Sequence, residues 1–163
     1  MAVGRCLLYA AIGIVVVVSV IVAIGYALPQ DHVASVRGVV PKPPDEVFEQ
    51  LSDVSRYPEW RTDLQRVEII SSAPLKWREE IGGDVITYEV VERDPPRRFV
   101  VRIADPELPF GGSWTYELRP EGSGTHLTIT ERGEVFNPIF RFMSRFVFGH
   151  TAAMETVLTS VRQ

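Results

Sequence analysis

Two side chains in this 163-residue chain could move protons in an apolar setting, Glu131 and His150. Glu131 lies in the stretch His126 to Glu134, where alternation places it on one face with Leu127 and Ile129. A carboxyl group on an apolar face has its charged form disfavoured. Its pKa rises, and it becomes a proton donor or an anchor for a ligand hydroxyl. The competing reading is an ion pair with Arg102 or Arg132 near the sheet end. His150 follows Gly149 in the C-terminal apolar run, where it can reach a cavity as a general acid or base, or be simply a packed or solvated histidine. No other catalytic residue is assigned. The remaining histidines, His32 and His126, are scattered, and none is paired at metal spacing.

Aromatic residues form the second chemical group. Tyr88, Trp114 and Tyr116 share strand faces with aliphatic residues, so they suit a cavity wall with hydroxyls that orient a ligand. Phe99 shares the face of Val101 and Ile103. Phe142 and Phe146 sit on the C-terminal apolar stripe, and Trp60 lies beside Tyr57-Pro58 in a loop fit to be a lid. Together with His150 these are the expected ligand-binding residues; the alternative is that they fill a solid core. Nucleotide loops, nucleophile elbows and Cys-His constellations are absent from the sequence. Cys6 is the single cysteine, which excludes an intramolecular disulfide and a cysteine-based metal site. No metal or cofactor is expected. A net charge of -4 argues against nucleic acid as a partner.

The elements that must position these residues follow from periodicity. His32 to Val40 reads as a strand with Val33 and Val39 on one face and Val36 and Val40 on the other. Asp45 to Leu51 is a short helix burying Val47, Phe48 and Leu51, with acidic residues in its first turn. Asp53 to Asp63 is turn-rich. A run of alternating strands follows: Val67 to Ser71, Trp77 to Ile81, Val85 to Arg93, Phe99 to Ile103, Trp114 to Arg119 and His126 to Glu134. Gly82-Gly83-Asp84, Asp94-Pro95-Pro96 and Glu121-Gly122-Ser123-Gly124 turn the chain between them. Such short turns predict an antiparallel meander. Asn137-Pro138 opens one long C-terminal helix, to Gln163, that is expected to cover the concave face.

The chain is expected to divide into a tail (1–5), a membrane-spanning helix (6–28), a linker (29–32) and one folded domain (33–163). From Cys6 to Leu28 there is no charged residue. A helix over that run rises roughly 33 Å, enough for a hydrocarbon core of about 30 Å. A retained single-pass anchor is the expectation; a cleaved signal with Gly25-Tyr26-Ala27 at its end is the alternative. Arg5 ahead of the span favours an inside amino terminus and an extracytoplasmic domain.

The stretches Pro44-Asp45-Glu46-Val47-Phe48, Tyr57-Pro58-Glu59-Trp60, Asp94-Pro95-Pro96-Arg97-Arg98-Phe99, Gly112-Ser113-Trp114-Thr115-Tyr116 and Gly124-Thr125-His126-Leu127-Thr128-Ile129-Thr130-Glu131 resemble the START/SRPBCC superfamily. Within it they are most similar to the bacterial polyketide cyclase/dehydrase and lipid transport group. That resemblance covers Val33 to the end. It implies an α+β helix-grip fold, a curved antiparallel sheet wrapped around a C-terminal helix. It also implies a cavity for a small hydrophobic molecule or lipid. Joined to the apolar N-terminal helix, it suggests a membrane-anchored binding module. A cyclase/dehydrase-like enzyme using the same cavity and a ligand-free interaction module are the alternatives, since one fold hosts all three.

Overall fold

The computed structural model describes residues 2–163, apart from the side chains of Ala2 and Phe148. A long helix α1 (Ala2–Ala27) precedes β1 (Asp31–Val40). Two short helices follow, α2 (Pro44–Ser52) and α3 (Tyr57–Trp60). The meander then runs through β2 (Arg66–Ser72), β3 (Leu75–Ile81), β4 (Asp84–Asp94), β5 (Arg98–Ile103), β6 (Phe110–Glu121) and β7 (Gly124–Val135). Helices α4 (Pro138–Met143) and α5 (Ala152–Val161) complete the chain.

The sheet is seven-stranded, in the order β1-β7-β6-β5-β4-β3-β2. All neighbouring strands are antiparallel, and β1 returns to pair with β7 along its whole length. The expected α+β helix-grip architecture is what the chain adopts. Alternation explains the inner face. Val40, Phe99, Leu127 and Ile129 are fully buried, whereas Val33 and Val39 face solvent. Bulges between Ile69 and Ser71 and between Val90 and Glu92 disrupt the ladder locally and add curvature.

Helix α2 begins with Pro44 at its first turn, carries Asp45 and Glu46 there, and buries Val47, Phe48 and Leu51 against the sheet. Each such burial is worth about 1.5–3 kcal/mol relative to exposure. Helix α2 therefore shares the concave face with α5, which the sequence had assigned to the C-terminal helix alone.

The C-terminal run is not one helix. Asn137 caps α4 by accepting from the Ile139 and Phe140 amides. After Met143 the chain widens into a π turn over Ser144–Phe148, then leaves helical geometry at Gly149, with φ 75° and ψ 173°. That backbone region is open in practice to glycine alone. Of this C-terminal run, α5 is the part that packs on the concave face, burying Met154, Val157, Leu158 and Val161.

Helix α4 packs instead on the end of α1. Gly25 is buried there, and a Cβ on it would collide with the Pro138 carbonyl. Arg141 ties the junction together. Its guanidinium donates to the carbonyls of Val135 (2.7 Å), Phe136 (3.0 Å), Gly25 (3.4 Å) and Leu28 (3.4 Å). The last two are orphan carbonyls at the end of a helix, which a cation satisfies well. By length and composition α1 is sufficient to cross a membrane. It starts ahead of Cys6, and His32 belongs to β1 instead of a linker.

Candidate functional site

Sheet register brings the functional side chains into rows. Trp77 on β3 pairs across to Tyr88 on β4, and their rings stack with centroids 5.5 Å apart. Val101 on β5 aligns with Trp114 on β6, which aligns with Glu131 on β7. Between these rows and α5 lies a cavity of about 400 Å3, open on one side. Trp77, Tyr88, Trp114 and Tyr116 wall it, and Ala152, Ala153 and Thr156 present the small side of α5. Tyr57 closes one end and is pinned by donating its hydroxyl to the Leu51 carbonyl at 2.6 Å. The Tyr88 and Tyr116 hydroxyls have no protein partner among the described residues, although Tyr116 is only 6% exposed.

A charged cluster stands in this apolar space. Arg61, just after α3, donates from Nε and Nη2 to the two oxygens of Asp63, at 3.2 and 2.6 Å. Its Nη1 donates to Glu79 at 2.8 Å, and the Trp77 indole donates to the other Glu79 oxygen at 2.7 Å. Glu79 is 2% exposed. Burial raises its pKa, and the Arg61 charge and the two hydrogen bonds pull the other way without cancelling it. For Arg61 burial acts downward, but the Asp63 bonds and the Glu79 charge outweigh it and the guanidinium is held firmly charged. Burial likewise raises Tyr88 and Tyr116, so both remain neutral phenols.

Glu131 and His150 meet elsewhere. They border a smaller recess of about 230 Å3, with His32, Phe110, Phe140 and Gly149. The His32 and His150 rings stack at 3.9 Å, and His32 Nε2 stands 3.9 Å from Glu131. Room for His32 comes from Gly133, where a Cβ would run into the imidazole. Burial raises Glu131, opposed by hydrogen bonding from the Trp114 side chain and by His150. Burial lowers His150, helped by His32 and opposed by Glu131. His32 is lowered by burial too, with Asp31 opposing. Glu131 thus faces histidines, and among the described residues no ion pair joins it to Arg102 or Arg132; Arg102 is on the outer face, bonded to Glu89 at 3.3 Å.

Of the expected ligand-binding residues, Tyr88, Trp114 and Tyr116 line the cavity. Phe99 lies deeper, fully buried and edge-on to Phe48. Trp60 packs on Tyr57 at the edge of the core and borders an outer depression shared with Lys42, Glu46, Glu49 and Arg56. That depression is about 540 Å3 but is a charged surface hollow outside the sheet. Phe142 and Phe146 pack on each other, off the sheet, because the helix that carries them breaks away at Gly149. Sequence reasoning missed Arg61, Asp63 and Glu79. Alternation from Trp77 would have placed Glu79 inside; nothing in the turn-rich loop marked Arg61.

Among the described residues no group of three or more His, Cys, Asp or Glu is arranged to hold a metal ion.

Comparison with known proteins rests on this geometry. Residues 31–163 match the family described as polyketide cyclase / dehydrase and lipid transport. A START superfamily protein from Mycobacterium smegmatis superposes with TM-score 0.65 at 16% identity, over 80% of this chain and 94% of that one. The Zhui aromatase/cyclase from a Streptomyces species gives 0.66 at 18% identity, over 81% and 92%. Norcoclaurine synthase from Thalictrum flavum gives 0.66 at 11% identity, over 81% and 84%. At these identities the likeness is one of fold. No curated protein matches the chain.

Proposed function

Because this chain belongs to the polyketide cyclase/dehydrase and lipid transport family of the START/SRPBCC superfamily, we propose that it binds a small hydrophobic ligand or lipid between sheet and α5, while α1 anchors it to a membrane. The observation that carries this reading is the cavity itself. About 400 Å3 walled by four aromatic rings, with two unpartnered phenols, is what an apolar ligand with a polar tip requires. A ligand-free interaction module would want that space filled.

Membrane attachment is supported by α1 and by its surroundings. Phe136, Ile139, Phe140, Phe146 and Val147 are exposed next to the end of α1, where an interfacial layer would cover them. Arg5 favours an inside amino terminus, putting the domain outside the cytoplasm.

A cyclase/dehydrase-like activity is the second reading, favoured by the buried Glu79 carboxyl inside the cavity. Loss of turnover in a folded Glu79→Gln protein would support it.

Native mass spectrometry of the gently extracted full chain tests binding. A co-purifying apolar molecule is expected. Repeatedly empty protein that also refuses fatty, sterol and quinone ligands would overturn the reading.

A further inference from the structure

We propose that the cavity selects ligands by head group, holding an apolar body that carries a hydroxyl or amine and rejecting the same body carrying a carboxylate. This deepens the binding reading above and rests on it.

Charge is the first reason. Among the described lining residues the basic and acidic side chains are Arg61, Asp63, Glu79 and Asp84, one base against three acids, with Asp84 at the exposed rim. The cation is also engaged: each of its three nitrogens already donates to Asp63 or Glu79, which leaves one N–H on each of Nη1 and Nη2. A bidentate arginine–carboxylate pair is a strong arrangement to displace. An incoming anion would meet Asp63 and Glu79 in a water-poor space, where like charges repel far more than in bulk water.

Hydrogen-bonding capacity points the same way. Each of the four Asp63 and Glu79 carboxylate oxygens accepts one protein bond, from Arg61 or the Trp77 indole. Each keeps a lone pair for a ligand donor. The Tyr88 and Tyr116 hydroxyls add two acceptors that can also donate. Set against these are two remaining Arg61 N–H groups and the two phenol protons, so acceptors outnumber free donors, and a hydroxyl or ammonium group is the better complement.

Equilibrium dialysis of the full chain in lipid nanodiscs, against empty nanodiscs, tests this with 2-naphthalenemethanol, 2-naphthylmethylamine and 2-naphthoate. The alcohol and the amine are expected to bind at least roughly tenfold tighter than the carboxylate. Asp63→Asn, which keeps the Arg61–Glu79 pair, should narrow that gap, and Tyr116→Phe should weaken the alcohol. Naphthoate binding as tightly as the alcohol, or a gap unchanged in Asp63→Asn, would overturn the head-group proposal while leaving ligand binding intact. Failure of all three probes to bind above the empty nanodiscs would instead remove the binding reading, and this proposal with it.

Discussion

Arg61 and Glu79 join a loop to the middle of β3 by one bond of 2.8 Å, with their side chains only 10% and 3% exposed. Removing one partner of such a pair strands the other in a poorly hydrated place. Arg61→Met should therefore destabilise the fold by about 3–5 kcal/mol. Glu79→Gln should cost less, because Arg61 keeps both Asp63 bonds. Urea denaturation in a fixed lipid environment measures both. Equal losses would mean that the pair does not act as described.

The cavity phenols and the Tyr57 phenol should behave in opposite ways. Tyr57→Phe removes a buried 2.6 Å bond to the Leu51 carbonyl and leaves that acceptor short of a partner. A stability loss of about 1–3 kcal/mol is expected, with ligand affinity little changed. Tyr116→Phe breaks no protein bond, so stability should hold while affinity for an alcohol probe falls. Thermal melts paired with dialysis separate the two outcomes.

His32 and His150 give a pH dependence whose sign is fixed by burial. Both have folded pKa values below the ordinary 6.5. Above that pH the imidazoles are neutral whether folded or not, and stability is unaffected. As pH falls below 6.5 the unfolded chain takes protons first, so stability declines until the folded values are passed. Glu131 works oppositely: its raised pKa lets the folded state hold a proton sooner, adding stability on acidification above the ordinary carboxylate range. Proton NMR should find both histidines titrating below 6.5. A His150→Gln variant should lose less stability than the wild-type chain between pH 7 and 5.5; a larger loss would contradict the assignment.

Gly25 and Arg141 make the joint between α1 and the domain. Gly25→Leu places a side chain where the Pro138 backbone already sits, so α4 must part from α1. Amide exchange in α4 should quicken while the β-sheet stays protected. Arg141→Ala should quicken it as well, through the lost carbonyl bonds. Unchanged exchange in both variants would show the joint to be unimportant.

The sheet was legible from sequence because period-two alternation and glycine or proline turns are local signals. The inner-face assignments of Leu127, Ile129, Tyr88 and Trp114 follow from that alone. The C-terminal break was not legible: Ile139, Phe142, Met143 and Phe146 keep helical spacing, and Gly149 is a single glycine whose positive φ depends on what lies around it. Arg61 was hidden for another reason. Its role comes from Glu79, 18 residues away in sequence and brought beside it by the fold. The pairing of His32 with His150 joins opposite ends of the chain, which no spacing rule reports.

Photolabelling with an apolar alcohol that carries a diazirine is the most direct test of the binding claim. After irradiation of the full chain in nanodiscs, adducts should map to the peptides of β3, β4, β6 and α5, and should disappear in Thr156→Trp, which fills the space from the α5 side. Adducts confined to α1 or to the surface around Trp60, or labelling untouched by Thr156→Trp, would contradict a ligand held between sheet and helix.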